Sequence, residues 1–248
     1  MTDPSRRTAV FISGRGSNMR SLVAASRRDG FPAEIALVLS NDAEAPGLAW
    51  AAQQGLATLA LPHRGFASRA AFDAAIQAAL DDRGIDLICL AGFMRLLTPE
   101  FVDRWSGRMI NVHPSLLPAF RGLDTHTRAI AAGVTLHGCT VHYVVPEVDA
   151  GPIIAQAAVP VLEGDTPEGL AARVLAEEHR IYPQALEGVA SGRIRLVDGR
   201  VVGTVTGELR LGGPFQAPRP ERLLAQQAEG RGVHKPALDA LDPSTGSG

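Results

Sequence analysis

Between residues 8 and 112 this chain alternates short β-rich apolar runs with stretches of helical spacing, an order that leaves few architectures open. Residues 8–12 are a β-rich run, and after a Ser/Gly/Asn turn Met19 to Ser26 places apolar residues at helical spacing. Glu34 to Leu39 reads as a strand, Pro46 to Gln54 as a helix and Ala57 to Leu61 as a strand. Ser68 to about Asp82 reads as an amphipathic helix capped by Ser68. Ile85 to Ala91 is nearly all apolar, as a strand covered on both faces should be, and Arg108 to Val112 is the next such run. Strands that alternate in this way with helices predict an α/β fold: a Rossmann-like, mostly parallel twisted sheet flanked by helices.

Beyond residue 125 the pattern changes. Thr125 to Ala132 reads as a helix, while Thr135 to Val145 and Pro152 to Val161 read as strands joined by a Pro/Glu/Asp/Gly-rich loop that carries Asp149. A long helix is predicted from about Thr166 to Val189, with Thr166-Pro167-Glu168-Gly169 as cap and first turn. Arg193 to Val197 and Arg200 to Thr206, split by Asp198-Gly199, form a hairpin pattern, so antiparallel strands are expected toward the C-terminus. From Gly212 onward the chain is rich in Pro, Gln, Gly and Ser. The reading is one domain over residues 1–211 and a largely disordered tail over 212–248, with at most a short helix near Pro220 to Ala228.

Composition narrows the function. A chain of 248 residues with 46% apolar content can bury the core of one ordinary domain. A formal net charge of −2 with 20% charged residues leaves no electrostatic footprint for nucleic acid, so any bound anion must be met locally. Cys89 and Cys139 lie in apolar stretches without metal-type spacing and read as reduced core thiols. Ser5-Arg6-Arg7-Thr8-Ala9-Val10-Phe11 has the look of an export signal, but its apolar run stops after Ile12, and no run reaches the roughly 18 residues of a membrane span. A cytoplasmic protein that binds neither nucleic acid nor membrane is expected.

Chemistry concentrates at Asn111 and His113, two positions apart at the end of an apolar run and therefore on one face if the run is a strand. Pro114 ends that strand, and polar groups at the carboxyl edge of a parallel sheet are placed to hold a ligand; an Asn-x-His pair can also simply satisfy loop backbone. Ser13-Gly14-Arg15-Gly16-Ser17-Asn18 joins the first strand to the first helix, where backbone N–H groups can approach an anion. The same turn also reads as plain tight geometry. Met19 stands where the dinucleotide fingerprint needs a third glycine, so a single phosphate held by Gly16, Ser17 and Asn18 suits the loop better than a nicotinamide cofactor. Ser115 lacks a nucleophile elbow, and His126, His137 and His142 lack ligand spacing, so neither covalent catalysis nor a metal is expected. His142 shares a strand face with Thr140 and Val144, either as structure or in support of a ligand. Leu170, Val174 and Leu175 form a core stripe, and one of Glu177 and Glu178 also reads as part of a solvated face.

Gly16-Ser17-Asn18, Ala91-Gly92-Phe93-Met94-Arg95, Asn111-Val112-His113-Pro114-Ser115-Leu116-Leu117-Pro118, Gly122-Leu123-Asp124-Thr125-His126, Asp149-Ala150-Gly151-Pro152 and Glu178-His179-Arg180-Ile181-Tyr182-Pro183 occur together and in order. Over roughly residues 8–205 the chain resembles the phosphoribosylglycinamide formyltransferases, folate-dependent enzymes of purine synthesis. The resemblance implies transfer of a formyl group from 10-formyltetrahydrofolate, the donor cosubstrate, to the amine of glycinamide ribonucleotide, by a monomer or homodimer. It assigns Gly16, Ser17 and Asn18 to the nucleotide phosphate, Arg69 as its cationic partner, and Glu178 to the ribose or amide end. The folate is assigned to Leu90, Met94, Arg95, Leu96, Leu97, Val144, Val145 and Asp149, and catalysis to Asn111, His113 and Asp149.

Formyl transfer to an amine passes through a tetrahedral oxyanion, which needs hydrogen-bond donors and a proton path. The Asn111 amide and a His113 imidazolium supply donors, and Asp149 stabilises the imidazolium and accepts a proton. Formyltetrahydrofolate hydrolases and methionyl-tRNA formyltransferases share the Asn-x-His centre; the latter usually carry a sizeable added C-terminal domain. The alternatives that remain are a hydrolase of the formylfolate, set apart by its lack of need for a phosphate loop, and a non-catalytic folate- or nucleotide-binding regulator.

Overall fold

The middle strands have no polar face, so helices must cover both sides of them. In the computed structural model, which describes residues 5–203, β1 (Arg6–Ile12), β2 (Ala33–Ser40), β3 (Thr58–Ala60), β4 (Leu87–Leu90), β5 (Met109–His113), β6 (Leu136–Tyr143) and β7 (Ile153–Pro160) form one sheet in the order 3-2-1-4-5-6-7. β1 to β5 run parallel, and β6 and β7 add antiparallel pairs beside β5, as the change of pattern after residue 125 predicts. β8 (Arg195–Val197) and β9 (Arg200–Val202) make a separate two-stranded sheet. The part of the predicted hairpin beyond residue 203, and the tail predicted over 212–248, lie outside the described residues.

Alternation along β1 sorts the two helical layers. Val10 and Ile12 face a core that also holds Leu22 of α1 (Ser17–Ser26), Leu48 of α2 (Pro46–Gln53), Ala129 of α5 (Thr125–Ala131), and Leu170 and Tyr182 of α6 (Pro167–Ala190). Ala9 and Phe11 face a second core with Phe72 and Ile76 of α3 (Arg69–Asp82) and Phe101 of α4 (Pro99–Arg104). Ser68 caps α3 through its hydroxyl to Ala71 N–H at 3.1 Å, and Thr166 caps α6 through Gly169 N–H at 3.2 Å, where the sequence places them. α4 and a 3-10 turn at His63–Gly65 are additions that periodicity did not predict. The strand order reverses between β1 and β4, which opens a crevice at the carboxyl ends of the sheet. No helix among the described residues is long and apolar enough to cross a membrane.

Candidate active site

Two segments far apart in the chain meet at the carboxyl end of β5. Asn111 and His113 lie two positions apart in β5, and Asp149 lies in the connection from β6 to β7. His113 Nδ1 is 3.4 Å from Asp149 Oδ2, with both side chains nearly closed to solvent. His113 Nε2 lies 3.1 Å from the carbonyl of Phe120, so both ring nitrogens face acceptors and the doubly protonated ring satisfies both. The Gly122 N–H donates to Asp149 Oδ2 at 2.9 Å, which fixes the carboxylate from the other side.

The approach of Asp149 depends on local backbone. Asp149 has a φ of 51°, a left-handed conformation that a short polar side chain tolerates better than most. Two residues on, Gly151 lies so close to β6 that a Cβ there would stand 1.7 Å from the Tyr143 carbonyl oxygen. Only glycine lets the connection fold back against β6 and bring Asp149 to His113.

His142 faces Asn111 across the β5–β6 ladder, and its Nε2 lies 3.2 Å from Asn111 Nδ2 and 3.8 Å from Asp149 Oδ1. Burial pushes its basicity down, outweighing the backbone carbonyl of Tyr143 and the Asp149 carboxylate, which act the other way. His126 and His137 pack edge to face behind the site, and burial lowers both, His137 to about 4. They sit as neutral rings at pH 7, and neither faces the cavity next to the trio.

That cavity, of about 140 Å³, has Asn111, His142 and Asp149 in one wall. Of the residues predicted to hold the folate, Leu90, Arg95, Leu96, Leu97, Val144, Val145 and Asp149 line it. Met94 does not: its side chain is 68% exposed, and its backbone N–H donates to Ser13 Oγ at 2.7 Å. Periodicity gives no signal for the orientation of a loop side chain, and the same gap hid Phe93; Val102 of α4, and Pro146 and Val148 in the loop from Val144 to Asp149 to which the resemblance assigns the folate, also line the cavity.

At the start of α1, Gly16 takes a φ of 68°, open to glycine, and the buried Met19 side chain packs beneath it. No side chain caps this helix, so the N–H groups of its first turn point outward, as an anion site requires. The Asn18 side chain is turned inward: its Nδ2 donates to Glu178 Oε2 at 2.6 Å, joining α1 to α6. Burial raises the Glu178 carboxyl above its ordinary range, an effect only partly offset by Asn18. Arg69, by contrast, stands exposed at the start of α3, in the other helical layer, with no hydrogen bond or ion pair among the described residues.

Thr140 is a supporting residue that sequence reasoning missed. Buried opposite His113 in the ladder, its hydroxyl donates to the Ser115 carbonyl at 2.7 Å and accepts from Leu117 N–H and Gln156 Nε2, each at 3.0 Å. These bonds pin the turn that leaves His113. Ser115 gives its own hydroxyl to the Ala119 carbonyl at 2.6 Å and is fully buried, which removes it as a nucleophile.

Comparison with known proteins places the chain in a family. Residues 6–186 match the family described as formyl transferase. The phosphoribosylglycinamide formyltransferase of Escherichia coli is 43% identical over 187 residues, which are 75% of this chain and 88% of that protein. The trifunctional purine biosynthetic protein adenosine-3 of Bos taurus is 50% identical over 196 residues, but the match spans only 19% of its length. The crystal structure of phosphoribosylglycinamide formyltransferase from Brucella melitensis shares 56% identity and superposes with a TM-score of 0.73, covering 76% of this chain and 97% of that one. The chain belongs to the formyl transferase family.

Proposed function

We propose that the chain transfers the formyl group of 10-formyltetrahydrofolate to the amine of glycinamide ribonucleotide in the cytoplasm, by direct attack, with Asn111, His113 and Asp149 as its catalytic residues. The observation that carries this reading is the meeting of an amide and a carboxylate, Asn111 and Asp149, in the wall of one largely apolar cavity, with the His113 imidazole 3.4 Å behind that carboxylate. The apolar lining, from Leu90 to Val145, suits a flat heterocycle, and Arg95 adds a cation at its edge. The uncapped start of α1 suits the phosphate of the second substrate, bound through the backbone N–H groups of Ser17 and Asn18. Glu178, whose carboxyl burial shifts upward, offers an acceptor to a ribose hydroxyl or a carboxamide N–H.

The amine attacks the formyl carbon, a carbon–nitrogen bond forms, and the carbonyl oxygen becomes an oxyanion. Asn111 donates an N–H to that oxygen, and His113 donates from a doubly protonated ring, exchanging the Phe120 carbonyl for the stronger acceptor. Asp149 stabilises the imidazolium and accepts a proton from the attacking nitrogen, directly or through water. Collapse breaks the bond to the folate nitrogen, which leaves with the proton that Asp149 accepted, passed on directly or through water.

Purified chain with both substrates is expected to release one deformylated folate for each formylated ribonucleotide. Deformylation at an undiminished rate without the ribonucleotide would refute the proposal in favour of hydrolysis.

A further inference from the structure

His142 is nearly closed to solvent and touches two members of the trio, yet the chemistry above gives it no part. Its Nδ1 lies 2.8 Å from the carbonyl of Tyr143, an atom that only accepts, so Nδ1 carries the ring hydrogen. In the neutral ring Nε2 then bears a lone pair. Asn111 Nδ2, 3.2 Å away, donates to it, and Asp149 Oδ1, 3.8 Å from the same nitrogen, is a second acceptor on that side. Facing that lone pair, the amide must present its nitrogen.

We propose that His142 is a positioning residue: by remaining neutral it holds the Asn111 amide with its NH2 end at the reacting centre, so that the second N–H meets the oxyanion. Protonation at Nε2 would reverse this. The new N–H would face Asp149 Oδ1 and the amide, which would turn its own oxygen toward it and set an acceptor where the oxyanion needs a donor. The charged and titratable groups facing the ring are Asp149 from the β6–β7 connection, which favours protonation, and His113 from β5, which opposes it. Burial among β5, β6 and the connection keeps the ring neutral. The inference rests on the assignment of Asn111 as an oxyanion donor.

Steady-state kinetics on four variants test it. Asn111→Ala is expected to lower kcat by about 10²–10³-fold, the usual effect of losing one oxyanion donor. His142→Phe is expected to lower kcat by a comparable factor with both KM values within about threefold, and to add almost nothing on the Asn111→Ala background, because the two act as a unit. His142→Gln, whose amide oxygen offers an acceptor near the position of Nε2, is expected to recover at least about tenfold of the loss and to lack any His142 contribution to the acid limb of the kcat profile. Selective 15N labelling of wild-type histidine is expected to show His142 neutral at pH 7 with its hydrogen on Nδ1. Independent, multiplicative losses from His142→Phe and Asn111→Ala, or a His142 ring charged at pH 7, would overturn the proposal. An unchanged kcat in Asn111→Ala would overturn the site assignment along with it, whereas a crippled Asn111→Ala beside a fully active His142→Phe would overturn the role of His142 alone.

Discussion

Replacing Asp149 by Asn removes a charge and almost nothing else. The Asn oxygen can take the place of Oδ2, accepting from Gly122 N–H and His113, while its NH2 takes the place of Oδ1, which at 3.8 Å from His142 Nε2 lies beyond hydrogen-bond distance and leaves that lone pair to Asn111. The hydrogen-bond pattern around position 149 is thus preserved, and what disappears is the attraction between a carboxylate and an imidazolium 3.4 Å apart. At an effective permittivity of about 20 that attraction is about 5 kcal/mol. Only the share that grows as the proton moves and the oxyanion forms counts toward the barrier, and between half and all of it corresponds to a fall in kcat of about 10²–10⁴-fold. Both KM values are expected to stay within about threefold, because neither substrate depends on this charge for its ground-state binding. Initial rates over both substrates, with a thermal melt to confirm the fold, measure this. A kcat within about threefold of wild type, or a loss confined to KM for either substrate, would refute the role of Asp149 as the charge behind His113.

Thr140→Val leaves Leu117 N–H buried without its partner and removes two further hydrogen bonds, for an expected loss of about 2–4 kcal/mol in denaturant unfolding, most of it restored by Thr140→Ser; a valine variant within about 0.5 kcal/mol of wild type contradicts the assignment. Gly151→Ala places a Cβ against the Tyr143 carbonyl and must displace the Asp149 connection, so the KM for the folate is expected to rise at least about tenfold while that for the ribonucleotide changes little. Glu178 has a folded-state pKa raised by burial above its ordinary value of 4.5, so the folded chain binds more protons than the unfolded one just above that value and stability falls as pH rises through the folded pKa. Glu178→Gln removes this dependence, and the variant is expected to gain on wild type in unfolding free energy from pH 4 to pH 8; parallel pH curves would show that the carboxyl is not buried as described.

The fold was legible wherever one residue pattern had one physical outcome. A run such as Leu87 to Leu90, apolar on both faces, has no stable place except in the middle of a covered sheet, and Ser68 and Thr166 sit where a helix start needs an acceptor. α4 escaped because the six residues from Pro99 to Arg104, after the Thr98 cap, are too few to set up a period. At the site, the pairing of Asn111 with His113 follows from strand alternation alone. The arrival of Asp149 does not: it requires Gly151 to touch Tyr143 and Asp149 to adopt a positive φ, neither of which local pattern encodes. Only the likeness of the motifs to a known family placed Asp149 in advance. Arg69 and Met94 mark the limit of that likeness, since a motif names a residue without saying which way its side chain turns.

The loops over His113 carry more strain than loops need. Phe120, Asp124 and Asp149 all have positive φ, at a cost of about 1–3 kcal/mol each, and all three lie in the two segments that meet above the imidazole. Such conformations persist only where several contacts fix them together, and here the contacts run through the site itself: His113 holds the Phe120 carbonyl, Asp149 holds Gly122 N–H, and Arg128 donates to the carbonyls of Arg121 and Leu123. The trio therefore has two duties, chemistry and closure of its own loops. It follows that truncations such as His113→Ala or Asp149→Ala release strained backbone as well as removing a reacting group. Their larger losses, spread over kcat, KM and stability at once, would not measure catalysis, which is why the isosteric Asp149→Asn separates the two effects where alanine cannot.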